Sequence, residues 1–314
     1  MENIYRCEEI FPDIRKFIKD AGDGILERGG CFTLGVLVAG ISPHPPLIIP
    51  EIGGREIDRV RSTADALVKL SDQVVTLSPE TVIFITPHGP VFRDTPAILA
   101  DEKLQGNFGD FGVPGVNFNV KNDIPLVKAI AEESRKVSIG VKLLKKDNNW
   151  IRGRGDMAAL DHGIMVPLYY LEKAGFKDGC IVAITFAMLP FKDLYRFGEA
   201  IKKAVEALGR RVAVIASGDL SHRLTRDAPA GYNPLGKEYD RQIVENVKEY
   251  NTTKLLEMDE NLVSVAGECG IRSIIILLGI LSDCKIAPQI LSYEGPFGVG
   301  YLVALLTPVI EEDV

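Results

Sequence analysis

The chain has 314 residues, 46% of them hydrophobic, with a formal net charge of −7, which is enough apolar material for a sizeable core. It has no run of Lys and Arg to give an electrostatic footprint for a phosphate backbone, which excludes nucleic acid as the expected partner. The longest apolar run, Ile274–Leu281, is too short to span a bilayer, and the N-terminus lacks an apolar signal core, so neither a membrane nor a secretory route is expected.

Residues 1–33 are charged and weakly amphipathic, with Gly29-Gly30 near their end, and they read as an extension ahead of the domain. Gly35–Ile41 (GVLVAGI) predicts the first buried strand, and the domain is expected over 34–308, with a tail at 309–314. A Pro-rich loop follows, then a helix from about Arg55 to Leu77. Thr81–Thr86 (TVIFIT) predicts a second buried strand. Further strands are expected at Ala97–Ala100, Phe118–Val120, Val141–Leu144, Ile181–Thr185, Arg211–Ser217 and Tyr301–Leu306. Between them lie helical patterns at Pro125–Lys136, Gly163–Ala174, Lys192–Leu208, Leu235–Glu249 and Glu268–Leu281. Buried strands alternating with helices indicate an α/β fold whose central sheet is mostly parallel or mixed. Gly106–Gly115 (GNFGDFGVPG) reads as a long loop, suited to a lid over a site.

The five cysteines, Cys7, Cys31, Cys180, Cys269 and Cys284, are odd in number and include no CxxC pair. This argues against a zinc ribbon and fits a reducing, cytoplasmic location better than a disulfide scaffold.

The four histidines are the most informative residues. His44 follows the first strand in Ser42-Pro43-His44-Pro45-Pro46, His88 follows the second in Thr86-Pro87-His88-Gly89, and His222 follows another in Ser217-Gly218-Asp219-Leu220-Ser221-His222. His162 stands just before a helical pattern. In open α/β sheets ligands bind beyond the carboxyl ends of the strands, so parallel strands bring these rings to one crevice. Two imidazoles and one carboxylate on one face make an oxygen-activating Fe(II) site with open positions. The carboxylate candidates are Glu268, Glu294, Asp219, Asp161 and Glu51. Glu268 sits among glycines that permit close approach, although a helix start also favours an acid there. Glu294 reads more naturally as a turn residue. Asp219 and Asp161 are placed to orient a neighbouring imidazole, or, for Asp161, to cap a helix. Cys269 offers a soft donor, yet such a cysteine more often fills a core. No G-x-S-x-G elbow and no phosphate loop is present.

These motifs, together with Gly267-Glu268-Cys269-Gly270, resemble the class III extradiol ring-cleavage dioxygenases, in particular their catalytic B subunit. The resemblance extends to the B-subunit-like domain of the AmmeMemoRadiSam group, a relative of the Memo proteins. It covers roughly residues 34–308 and implies a single extradiol dioxygenase B-subunit-like α/β domain. It implies Fe(II) held by His44, His88 and Glu268, with zinc or manganese as alternatives. By the same resemblance His222 is the acid/base, His162 contacts the substrate, and Asp219 supports an imidazole. The implied reaction opens the ring of a catechol-like substrate with O2, and a homo-oligomer is compatible with it. Memo-type relatives place a cysteine where the dioxygenases place the glutamate, and this chain has both. A Memo-like metal-binding protein without dioxygenase activity, or a metal-dependent hydrolase, are the alternative expectations.

Overall fold

The computed structural model describes residues 35–146 and 158–309. The expected extension over 1–33 and nearly all of the tail after 308 lie outside them, as do Cys7 and Cys31. Ten strands form one sheet: β1 (Val36–Ser42), β2 (Thr81–Thr86), β3 (Ala97–Leu99), β4 (Lys103–Phe108), β5 (Val113–Asn122), β6 (Lys142–Leu144), β7 (Cys180–Thr185), β8 (Val212–Ser217), β9 (Ile286–Glu294) and β10 (Tyr301–Pro308). The main order is β4-β5-β7-β2-β8-β1-β10-β9, with β3 joining β7 and β6.

The sheet is mixed. Its centre, β7-β2-β8-β1, is parallel, while β10, β9 and β4 run antiparallel to their neighbours. The central strands are long apolar runs because both faces are covered. Ile83 and Ile85 of β2 pack with the helices Ile124–Lys136, Phe191–Ala207 and Ile271–Ile280 on one side. Val82 and Phe84 pack with the helices Arg61–Thr76 and His162–Ala174 on the other.

Most predicted elements fall within a few residues of their observed bounds. The helix expected from Arg55 begins later, because Gly54–Val60 winds as a 3-10 turn before the helix at Arg61–Thr76. The helix expected from Glu268 starts at Ile271, with Gly270 at its N-cap. The Gly-rich stretch 106–115 is not a long loop but the turn of a β4–β5 hairpin, closed by a 3-10 turn at Gly109–Phe111 and by Gly112 in the left-handed region. Among the described residues no helix is long and apolar enough to cross a membrane. Cys180 and Cys269 carry free thiols.

Candidate metal centre

The parallel centre of the sheet brings the carboxyl ends of β1, β2 and β8 to one edge, and the loops leaving them carry His44, His88 and Asp219-Leu220-Ser221-His222. His162 arrives from a different direction, as the first residue of the helix His162–Ala174. Its preceding residue, Asp161, caps that helix by accepting the Gly163 N–H, and it also accepts the Thr86 hydroxyl at 2.7 Å. Asp161 therefore performs the capping role and ties the helix start to the end of β2.

The four rings converge. The His44 centroid lies 4.6 Å from His88 and 5.4 Å from His162, and His88 and His162 lie 4.1 Å apart. His222 joins through Asp219, whose Oδ2 is 4.0 Å from both His44 Nε2 and His222 Nε2. The other Asp219 oxygen accepts the His44 backbone N–H at 3.0 Å. Asp219 thus stands between two imidazoles and holds the His44 backbone, rather than binding a ring nitrogen of either.

Glu268, expected as the third ligand, is not among the donor atoms that this structure groups. Its Oε2 accepts the Ile271 N–H at 2.7 Å, and its Oε1 faces Arg272 at 3.7 Å. The carboxylate is spent on the N-terminus of the helix Ile271–Ile280, where the orphan N–H groups and the dipole favour it. Its neighbour Cys269 turns inward instead, with Sγ 3.7 Å from His44 Nε2. Three glycines shape this turn. Gly267 ends the helix Glu260–Ala266 at φ 63, a left-handed conformation that a side chain disfavours. Gly218 and Gly270 pack backbone on backbone: a Cβ on Gly218 would come within 2.2 Å of the Gly270 Cα. That contact lets Cys269 N–H reach Asp219 O at 3.2 Å and lets Cys269 Sγ accept the Asp219 N–H at 3.2 Å. The remaining carboxylate candidates lie in other bonds. Glu294 ends β9 and accepts both the N–H and the hydroxyl of Thr63, and exposed Glu51 accepts the Tyr169 hydroxyl.

Ser217, which sequence reasoning passed over as a ligand support, sets the chemistry of His44. The single Ser217 hydroxyl proton is donated to Gly163 O at 2.5 Å. The 2.9 Å contact between Ser217 Oγ and His44 Nδ1 therefore requires the ring to be the donor. His44 is held as the Nδ1–H tautomer, and its Nε2 lone pair faces His88 and Cys269. The signal for Ser217 in the sequence was its place at the end of a buried strand beside the Asp219–His222 segment.

Electrostatics favour the neutral, ligating form of every ring. Burial, then the His88, His162 and His222 imidazoles, hold His44 well below the usual histidine range. Loss of hydration within the cluster, then His162 and His222, lower His88 to about 4. Desolvation also lowers His162 and His222. Burial pushes the Cys269 thiol up, aided by the Asp219 charge, so a cation bound there would release its proton.

His44, His88 and Cys269 form a group whose donor atoms all lie within 4.8 Å of one another, and Asp219, His222 and Cys269 form a second that shares the thiol. Two nitrogens and a sulfur on one ion, at about 2.1 and 2.3 Å, stand about 3 to 3.6 Å apart. The observed 2.8 Å between His44 Nε2 and His88 Nε2 and 3.7 Å from His44 Nε2 to Cys269 Sγ bracket that spacing, each within about 0.2 Å of it. The donor set fits a metal.

A mixed α/β sheet with histidines and a thiol at the carboxyl ends of its parallel strands defines a candidate metalloprotein. Residues 38–304 match the model of the catalytic LigB subunit of aromatic ring-opening dioxygenase, and the chain belongs to that family. It is 40% identical over 266 residues to Protein CA_C1420 of Clostridium acetobutylicum, covering 84% of this chain but only 56% of that protein. It is 28% identical over 257 residues to 3,4-dihydroxyphenylacetate 2,3-dioxygenase of Escherichia coli, covering 78% of this chain and 89% of that one. The fold is similar to the crystal structure of the uncharacterized protein JW3007 from Escherichia coli K12, with a TM-score of 0.53, 15% identity, and coverage of 86% and 99% of the two chains.

Proposed function

We propose that this chain is a metal-dependent oxygenase that opens the ring of an aromatic vicinal diol with O2, its metal, Fe(II), held by His44, His88 and Cys269. The observation that carries the reading is the convergence of the His44, His88 and His162 rings at one sheet edge, with the Cys269 thiol 3.7 Å from His44 Nε2 and grouped with His88 and with His222. Membership of a ring-opening dioxygenase family supports the reaction class. The name of the Escherichia coli relative supports a diol as substrate.

An iron bound by these three donors supplies a place where diol and oxygen meet and a route for electrons between them. The chain's own residues do the rest. His222 is neutral and partly open to solvent, and its Nε2 is the base for a diol hydroxyl proton. Asp219 faces that same nitrogen and, when ionised, favours the imidazolium that forms. His162, stacked on His88, offers a ring N–H or lone pair to a substrate oxygen.

The test is anaerobic purification, metal analysis and oxygen uptake with a panel of diols. His222→Ala should retain metal and lose turnover by about 10² to 10⁴. Wild-type protein that holds iron but consumes no oxygen with any diol refutes the reaction. A second reading, metal binding without turnover, is favoured by one observation: the third donor is a thiolate where the iron oxygenases use a carboxylate, and thiolates favour zinc or cuprous ions. The same assay separates the two.

A further inference from the structure

His44 is 2% exposed, whereas His88 is exposed. The approach past His88 is flanked by His162, and beyond His162 stands one further ring, Phe111, with centroids 5.6 Å apart in an edge arrangement. Phe111 sits at the tip of the β4–β5 hairpin and is 39% exposed, unusual for a large aromatic that contacts an interior ring.

The hairpin presents this ring deliberately placed over the site, because both ends of the tip are fixed. Phe108, just before the turn, is fully buried and packs against Phe111 and Phe118. Asn107 Oδ1 accepts the Gly109 N–H at 2.7 Å, and Gly112 N–H closes on Gly109 O at 3.0 Å. Further back, Gln105 O accepts the Leu160 N–H at 2.8 Å, and at Gly106 the strand lies so close to Leu160 and Met165 that a Cβ would collide with them. The hairpin is therefore docked on the very segment that delivers His162.

We infer that Phe111 is a specificity-determining residue: its ring forms the outer wall of the substrate site and packs against the aromatic ring of a bound diol, selecting flat aromatic chelates over other oxygen chelates. This rests on the reading of the cluster as a diol-binding metal centre. A ring seated against the exposed Phe111 beside His162 exchanges solvent for an edge or offset aromatic contact, which predicts about 3- to 10-fold in affinity.

The test uses the full chain loaded anaerobically with Zn(II), which binds without turnover. Two probes are titrated: 4-nitrocatechol, an aromatic chelate, and acetohydroxamate, a non-aromatic chelate of the same bite. Phe111→Ala should weaken 4-nitrocatechol about 3- to 10-fold and leave acetohydroxamate within about twofold. Phe111→Tyr should restore the wild-type preference. Unchanged affinity for both probes, or equal loss for both, overturns the role of Phe111 while leaving the metal centre standing. Wild-type protein that takes up zinc and acetohydroxamate but not the diol overturns both readings. Failure to take up metal overturns the reading beneath them.

Discussion

Ser217→Ala tests how the fold prepares a metal ligand. The hydroxyl donates to Gly163 O and receives the His44 Nδ1–H, so its removal leaves a buried donor and a buried acceptor without partners. Each orphan costs on the order of 1–3 kcal/mol of stability, more than the hydroxyl's own net contribution. The ring also loses the bond that keeps its proton on Nδ1, so a fraction of His44 presents Nε2–H to the cluster, where a metal needs a lone pair. Partners of this kind typically change metal affinity 10- to 100-fold, or about 1.4–2.7 kcal/mol. The assay is an anaerobic competition titration against a chromophoric chelator, with nitrogen NMR shifts of the metal-free protein reporting the His44 tautomer. Ser217→Thr keeps the hydroxyl and serves as the folding control. The reasoning is refuted if Ser217→Ala folds, retains the Nδ1–H tautomer and binds metal within about twofold of wild type.

Two further predictions bear on the acids. Glu268→Ala should lower stability by about 0.5–2 kcal/mol through loss of its bond to the Ile271 N–H, while leaving metal affinity intact; denaturant melts and metal titration read both. Asp240 concerns pH. Burial raises its carboxyl from 3.8 to about 7, against the opposing bonds from Tyr293 and Ser221. Between those values the unfolded chain has lost its proton and the fold keeps it, so stability falls as pH rises through that window and levels off above about 7. The drop is at most about 4 kcal/mol. Asp240→Asn should flatten that slope in urea melts from pH 4 to 8; an unchanged slope rules Asp240 out as its source.

The central strands were legible because burial on both faces makes them continuous apolar runs, as in TVIFIT of β2. The histidine convergence was legible for a related reason: three of the four follow such strands, and parallel pairing carries them to one edge. β9 was missed because its burial is uneven, it carries Pro288 and it lies at the sheet margin. The β4–β5 hairpin was masked by glycines at 106, 109, 112 and 115, which read as a loop although the flanking strands pair antiparallel up to a bulge between Asn107 and Phe108. The choice between Glu268 and Cys269 was not legible at all. Adjacent residues point in different directions, and which one turns inward depends on the left-handed Gly267 and on the Gly218–Gly270 contact, a meeting of segments some fifty positions apart. Periodicity carries no trace of such a contact. Glu294 and Asp161 likewise bond to distant partners, Thr63 and Thr86, that the sequence pattern does not show.

The account stands on Cys269 rather than Glu268 as the third donor. X-ray absorption of the protein purified and loaded with metal without oxygen measures this directly. A sulfur scatterer at about 2.3 Å, lost in Cys269→Ala and retained in Glu268→Gln, is the predicted result. A shell of nitrogen and oxygen alone, with full metal content in Cys269→Ala and metal lost in Glu268→Gln, would contradict it.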